Sequence, residues 1–236
     1  MVQWAMLTVT EYYSYMTPDI LAELKPHANK RLFKKHSILL YQGEAPRMAY
    51  ILVSGIVKVY SINTAGEEQI ATFQVEGDLF PSPWIFGKSA STLYYYEALT
   101  DCEVLVMPRD AVRKAISSRP DLLEGMLDYF VVNYTGLLMR VTALEQSRAR
   151  EKIMFTLYYL LFRYGQEIRP GIYKINVALT HGVIASLVGL TRETTTTELS
   201  KLKAQKVVNY SAHTYTVNKP KLERLLGEDS FSDLIM

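Results

Sequence analysis

The apolar positions of this chain change period twice. Between residues 31 and 108 they alternate in short runs, at 37–41, 50–53, 56–62, 69–75, 94–100 and 103–107. Glycines at 43, 55, 66 and 77 punctuate the first four. A period of two belongs to strands, whose successive side chains point to opposite faces. Ser54-Gly55, Ala65-Gly66 and Glu76-Gly77-Asp78 read as turns. Ile56, Lys58 and Tyr60 alternate with Val57, Val59 and Ser61, so one face of that strand is expected to be buried. Short strands at this spacing predict an antiparallel sandwich or barrel.

The second pattern is helical. Leu123, Leu127, Phe130, Tyr134, Leu137, Val141 and Leu144 follow one another at alternating steps of four and three, a heptad seam of three repeats. A helix over 121–145 would extend roughly 38 Å. Leu122, Met126, Val131 and Leu138 widen its apolar face. The expectation is a helix with two duties: one side covers the β-domain, and the seam meets a second copy in a parallel homodimer. Upstream, 8–29 is expected to hold a short helix, with Thr17 as cap and Pro18 in its first turn.

The last third begins with an apolar helix at 153–164, ending at Gly165, and a strand-like run at 171–177. Thr180 can then cap a helix over 181–188, Gly189-Leu190-Thr191 breaks it, and Thr191 caps a second helix from 192 to about 205. Two compact helices around a glycine turn form a helix-turn-helix. Ile184, Ala185 and Val188 are expected to meet Thr195, Leu199 and Leu202 inside. Arg192, Glu193, Thr196, Thr197, Ser200 and Lys203 then lie outside, and 207–210 with 214–217 form a hairpin wing around Ser211-Ala212-His213.

The outer set can read base edges. Arginine donates a bidentate pair to guanine, glutamate accepts from cytosine, and threonine bonds a base or touches a thymine methyl. Lys201, Lys203 and Lys206 are placed to reach phosphates. Thr194 to Thr197 form an unbroken threonine run, which lowers intrinsic helicity. Thr196 and Thr197 are therefore expected to be kept for contacts with DNA. The rival reading is a helical hairpin with a solvated charged face, or a protein-docking surface; salt dependence separates these from DNA binding.

Composition narrows the field. The chain has 236 residues, 49% hydrophobic and 21% charged, which excludes a disordered chain. No apolar run reaches the roughly 18 residues of a membrane span. Met1-Val2-Gln3-Trp4 does not start a signal peptide, so a cytoplasmic protein without membrane partners is expected. One cysteine, Cys102, excludes an internal disulfide, a zinc ribbon and a cysteine-held iron–sulfur cluster. Of the four histidines, at 27, 36, 181 and 213, only His36 falls in the β-region. That is too few for a cupin-like metal enzyme, and no hydrolytic triad or phosphate-cradling loop appears. No catalytic residue, metal or cofactor is assigned. Residues 1–144 carry a balance of −2 and residues 145–236 one of +4, so the basic side falls on the helix-turn-helix.

These features resemble the Crp/Fnr superfamily of bacterial transcription regulators. The resemblance is carried by Leu40-Tyr41-Gln42-Gly43-Glu44, Tyr50-Ile51-Leu52-Val53-Ser54-Gly55, Glu76-Gly77-Asp78-Leu79-Phe80 and the run from Glu97 to Leu105. Most specific are Leu190-Thr191-Arg192-Glu193-Thr194 and Glu198-Leu199-Ser200-Lys201-Leu202-Lys203. It implies an α+β fold: an N-terminal antiparallel β jelly roll like a cyclic-nucleotide-binding domain (1–115), a long dimerisation helix (116–146) and a C-terminal winged helix-turn-helix (147–236). It also implies a homodimer on a pseudo-palindromic site of double-stranded DNA, working through RNA polymerase. Arg192, Glu193, Thr196 and Thr197 occupy the base-reading places, and Thr180, Thr191, Ser200, Lys201 and Lys203 flank them.

Cyclic-nucleotide binders of this family show Gly-Glu after the Gly-Asp turn and later an Arg-Ser/Thr-Ala that holds the phosphate. Here these places read Phe80-Pro81-Ser82-Pro83-Trp84 and Tyr95-Tyr96-Glu97-Ala98. With the arginine missing, Glu97 beside the gap and Lys88 as the only nearby cation, cAMP is expected not to bind. Tyr60, Phe73, Trp84, Phe86, Tyr94, Tyr95 and Tyr96 are instead expected either to line a pocket for an apolar small-molecule effector or to fill the roll of a ligand-free regulator.

Overall fold

The computed structural model describes residues 24–227. The helix start expected at Thr17 and Pro18 lies outside them. Contacts divide the chain into two compact units, and the boundary between Phe130 and Val131 falls inside the long helix.

The first unit is a jelly roll. After a short 3-10 turn at Lys25–His27 come β1 (Asn29–Phe33), β2 (Ile38–Leu40), β3 (Ala49–Ser54), β4 (Val57–Ile62), β5 (Glu68–Gln74), β6 (Leu79–Phe80), helix α1 (Ser82–Ile85), β7 (Tyr95–Ala98) and β8 (Cys102–Met107). Two four-stranded antiparallel sheets result, ordered β1-β8-β3-β6 and β2-β7-β4-β5. The first segment, expected to hold a short helix, was expected to run to about 29, and Asn29 already opens β1. That strand exposes its first four residues and has no alternation to betray it; its pairing with β8 creates it.

Alternation along β3 and β8 builds two cores. Tyr50, Leu52, Val104 and Val106 point into the roll, against Val57 and Val59 of β4 and Tyr96 and Ala98 of β7. Ala49, Ile51, Leu105 and Met107 point the other way, where helix α2 (Arg109–Ser118) brings Val112, Ala115 and Ile116. The first half of helix α3 (Pro120–Glu145) adds Leu122, Met126 and Tyr129 to the same cluster. The expectation of one buried face on β4 needs correcting. Val57 and Val59 fill the interior, but Lys58 and Tyr60 on the opposite face are buried as well.

Leu122 and Met126 pack on the roll as expected. Val131 and Leu138 do not: both are exposed and extend the open face of α3. All seven seam residues are likewise 40–62% exposed.

The second unit holds the rest of α3 and helix α4 (Ala149–Tyr164), which is buried along nearly its whole length. Around α4 lie β9 (Gly165–Arg169), β10 (Ile172–Ile175), α5 (His181–Val188), α6 (Arg192–Ala204), β11 (Val208–Ser211), β12 (Thr214–Asn218) and α7 (Lys219–Leu226). Their strands form one antiparallel sheet ordered β11-β12-β10-β9. No helix among the described residues is long and apolar enough to cross a membrane.

Candidate nucleic-acid interface

Local chemistry shapes the helix pair. The Thr180 hydroxyl accepts from the Val183 amide at 3.1 Å and caps α5. Gly189 follows α5 with φ of 65°, a left-handed backbone that costs glycine nothing. Leu190 N–H then bonds back to Ala185 O, which closes a Schellman turn. Thr191 caps α6 by accepting from Thr194 N–H at 3.2 Å and donating to its hydroxyl at 3.0 Å. The α6 helix ends on the same motif, with Val207 N–H on Leu202 O and Lys206 N–H on Lys203 O. Here the left-handed place, at φ 58°, is held by Lys206.

The inner faces meet as expected: Ile184, Ala185, Val188, Thr195, Leu199 and Leu202 are all buried. Leu187 joins them. The outer face divides into three kinds of residue. Arg192, Glu193 and Thr197 are exposed, and their side chains bond to no other described residue. Ser200 donates to Thr196 O at 2.8 Å, and Lys201 pairs with Glu198 on its own helix at 2.6 Å. Both are exposed, and such surface pairs exchange readily with other anions.

Thr196 and Lys203 are tied inward, which corrects the reading of both as free outer contacts. Thr196 Oγ1 shares a 2.9 Å hydrogen bond with His181 Nδ1. Lys203 Nζ donates to Tyr210 O at 3.0 Å and lies 4.2 Å above the Tyr210 ring. Tyr210 stacks on Tyr215 across the hairpin at 5.2 Å, and the His181 ring meets Tyr210 edge-on at 5.0 Å. This cluster fastens the wing to the helix pair. Burial, aided by the Arg192 charge, lowers the His181 pKa and so favours the neutral ring. The sequence reading missed this clasp. The signal was the pair Tyr210 and Tyr215, which a tight hairpin places opposite one another.

The threonine run thus splits four ways. Thr194 joins the cap, Thr195 is fully buried, Thr196 holds His181, and Thr197 faces solvent.

In the roll, the expected effector residues do not form one lining: Tyr60, Tyr95 and Glu97 meet on the face of β4 and β7 away from the interior, and the others lie apart from them. Tyr96 stacks on Phe80 at 5.3 Å, and Phe80 on Tyr50 at 5.4 Å, inside the roll. Tyr60 and Tyr95 stack at 5.2 Å in a separate pair. Phe73 is fully buried. Trp84 belongs to the core under the helices, with the Arg109 guanidinium 5.0 Å from its ring. Lys88 is exposed.

Glu97 needs the clearest correction. It lies opposite Lys58 in the β4–β7 register, on the face away from Tyr96 and Ala98. Its carboxylate takes Lys58 Nζ at 3.1 Å and His36 Nδ1 at 3.2 Å, while Lys58 also holds Glu68 at 2.6 Å. Burial raises the Glu97 pKa, but the bonds from His36 and Lys58 outweigh that and bring it below the usual carboxylate range. Lys58, not Lys88, is the cation at this acid, so repulsion by Glu97 is no argument against a phosphate inside the roll. Cys102 is buried, donates to Ile56 O and Thr100 O at 3.3 Å, and has its pKa raised by burial, unlike a reactive thiol. Among the described residues, no group of three or more His, Cys, Asp or Glu is placed to hold a metal.

Comparison with known families agrees with this geometry. A cyclic nucleotide-binding domain model matches residues 30–119, and a Crp-like helix-turn-helix domain model matches residues 151–225. The chain belongs to the Crp/Fnr family of transcription regulators. This Crp/Fnr regulator is 28% identical over 195 residues to the HTH-type transcriptional regulator ArcR of Staphylococcus haemolyticus, covering 82% of this chain and 84% of that one. It is 26% identical over 189 residues to the global nitrogen regulator of a Nostoc strain, covering 80% and 84%. Its fold is similar to that of a CooA variant from Carboxydothermus hydrogenoformans, with a TM-score of 0.73 at 18% identity over 89% of this chain and 95% of that one. The Crp/Fnr regulator is thus a DNA-binding protein that controls transcription, and the family to which it belongs consists of regulators rather than enzymes.

Proposed function

We propose that two copies of this regulator pair through Leu123, Leu127, Phe130, Tyr134, Leu137, Val141 and Leu144, and set two α6 helices into successive major grooves of a pseudo-palindromic operator. The observation that carries this reading is the stripe itself. Seven apolar side chains in heptad register, each at least 40% exposed, form a larger apolar face than a soluble monomer ordinarily leaves open. Arg192, Glu193 and Thr197 read bases from the N-terminal half of α6. Thr180, Lys201 and Lys206 approach phosphates, and Lys203 chiefly holds the wing. The working division is a roll at 1–115, a dimer helix at 116–146 and a winged helix at 147–236.

The roll does not take cAMP. This rests on the run Tyr94-Tyr95-Tyr96-Glu97-Ala98, which holds no arginine and turns Tyr96 and Ala98 into the roll. A phosphate placed there would lack a counter-charge. The stacks of Tyr50, Phe80 and Tyr96 favour a ligand-free regulator over one with an open effector pocket. The dimer acts in the cytoplasm and meets RNA polymerase at its promoters.

Selection of bound sites from random DNA, with and without cell extract, tests the reading. It should return an inverted repeat whose centres lie about one helical turn, or a multiple of it, apart. Arg192→Ala should relax preference at one base pair by about 1–3 kcal/mol, whereas Lys201→Ala should weaken all sequences alike. Recovery of no enriched sequence, or binding indifferent to salt, would favour the protein-docking alternative.

A further inference from the structure

Helix α3 carries two stripes, not one. The exposed stripe is the heptad seam, whose second half is Tyr134, Leu137, Val141 and Leu144. One residue earlier at each step run Asn133, Gly136, Arg140 and Ala143. The last three are buried, and Asn133 is half-buried. Adjacent residues on a helix are separated by about 100°. Whatever turns the seam toward a partner therefore turns this inner stripe by the same angle.

The inner stripe meets the helix-turn-helix through Arg140. Arg140 is 9% exposed, and its Nη2 donates to Leu187 O at 2.8 Å. Leu187 sits in the last turn of α5, just before Gly189. Terminal carbonyls of a helix lack partners within it and carry partial negative charge, so a guanidinium is suited to cap them. The guanidinium also lies 5.9 Å from the Tyr159 ring of α4. Side chains of α4 also press on the inner stripe: a Cβ on Gly136 would come within 2.8 Å of Arg163 Cδ, so the Arg163 side chain would have to shift to admit one.

We infer that Arg140 is a positioning residue that fixes the helix-turn-helix to the dimer helix and so sets the spacing of half-sites the dimer accepts. A buried ion-dipole contact has direction, which apolar packing lacks. It holds α5, and through the Gly189 turn α6, at one angle to the seam. One extra base pair between half-sites rotates them by about 35° and moves them apart by about 3.4 Å. A fixed α6 cannot follow such a change; a loosened one can. The inference rests on the dimer proposed above.

The experiment uses the full chain and a palindrome selected by the wild-type protein, with spacers altered by one and two base pairs. Wild type should prefer its own spacer by about tenfold or more. Arg140→Met removes the donor and the charge but keeps most of the volume. It should lower that preference to about threefold or less while leaving the affinity for an isolated half-site and the sedimenting mass unchanged. Arg140→Lys, which keeps the charge but loses the forked reach, should do the same and stands in should the Met variant fail to fold. A folded, dimeric variant with wild-type spacer preference overturns the latch alone. A monomeric wild type overturns both the latch and the dimer on which it rests.

Discussion

Lys206→Gly should stabilise the winged helix and weaken its hold on DNA. Both helices of the pair end in the same Schellman turn, one with Gly189 and one with Lys206 in the left-handed place. A side chain there costs roughly 1–2 kcal/mol through its Cβ. Glycine has more freedom to lose on folding, which returns about 0.5–1 kcal/mol. The net gain should be about 0.5–1 kcal/mol, or roughly 2–3 °C for a chain of this size. Urea unfolding followed by circular dichroism measures it. Lys206 also bears the charge proposed to meet a phosphate. Its loss should reduce the slope of log affinity against log salt by about 0.9 without changing base preference. Equal or lower stability would refute the backbone argument, and an unchanged salt slope would refute the phosphate contact.

Three further outcomes follow from buried polar groups. The Thr195 hydroxyl is buried with no hydrogen-bond partner, so Thr195→Val should raise stability by about 1 kcal/mol, read by thermal melting. Glu97→Gln removes one of the two carboxylates that hold Lys58, leaving Glu68, and should destabilise the roll by about 2 kcal/mol in urea, less than a fully orphaned ion would cost. The His181 pKa is lowered in the folded protein. As pH falls below the ordinary histidine value of about 6.5, the unfolded chain takes up a proton that the folded chain resists, and stability drops. His181→Gln should flatten that decline below about pH 6.5 in melts taken across the range; an equally steep profile would assign it to other groups.

The features legible in the sequence were those written within one turn of helix. Thr180, Gly189 and Thr191 each satisfy a neighbouring backbone group, so spacing alone reveals them. The seam of α3 is likewise periodic in the chain, although which neighbouring stripe the protein buries was not. Val131 and Leu138 are as apolar as Leu122 and Met126 but find nothing to cover. What escaped was set by partners far along the chain. β1 exists because β8, more than 60 residues later, pairs with it. Glu97 was read as facing the interior of the roll, where Tyr96 points instead, because alternate strand residues face opposite ways and a shift of one reverses the assignment. Its partner Lys58 follows from the β4–β7 register, which no local spacing contains. Thr196 and Lys203 looked free for DNA because His181 and Tyr210 are brought to them only by the folded wing.

The most direct measurement is the mass of the complex with a selected palindromic duplex, by sedimentation equilibrium. The account predicts two chains of 27.0 kDa per duplex. It also predicts that Leu137→Glu with Val141→Glu reduces this to one weakly held chain, with α6 left intact. A wild-type complex carrying a single chain, or a doubly substituted protein that still binds in pairs, would contradict it.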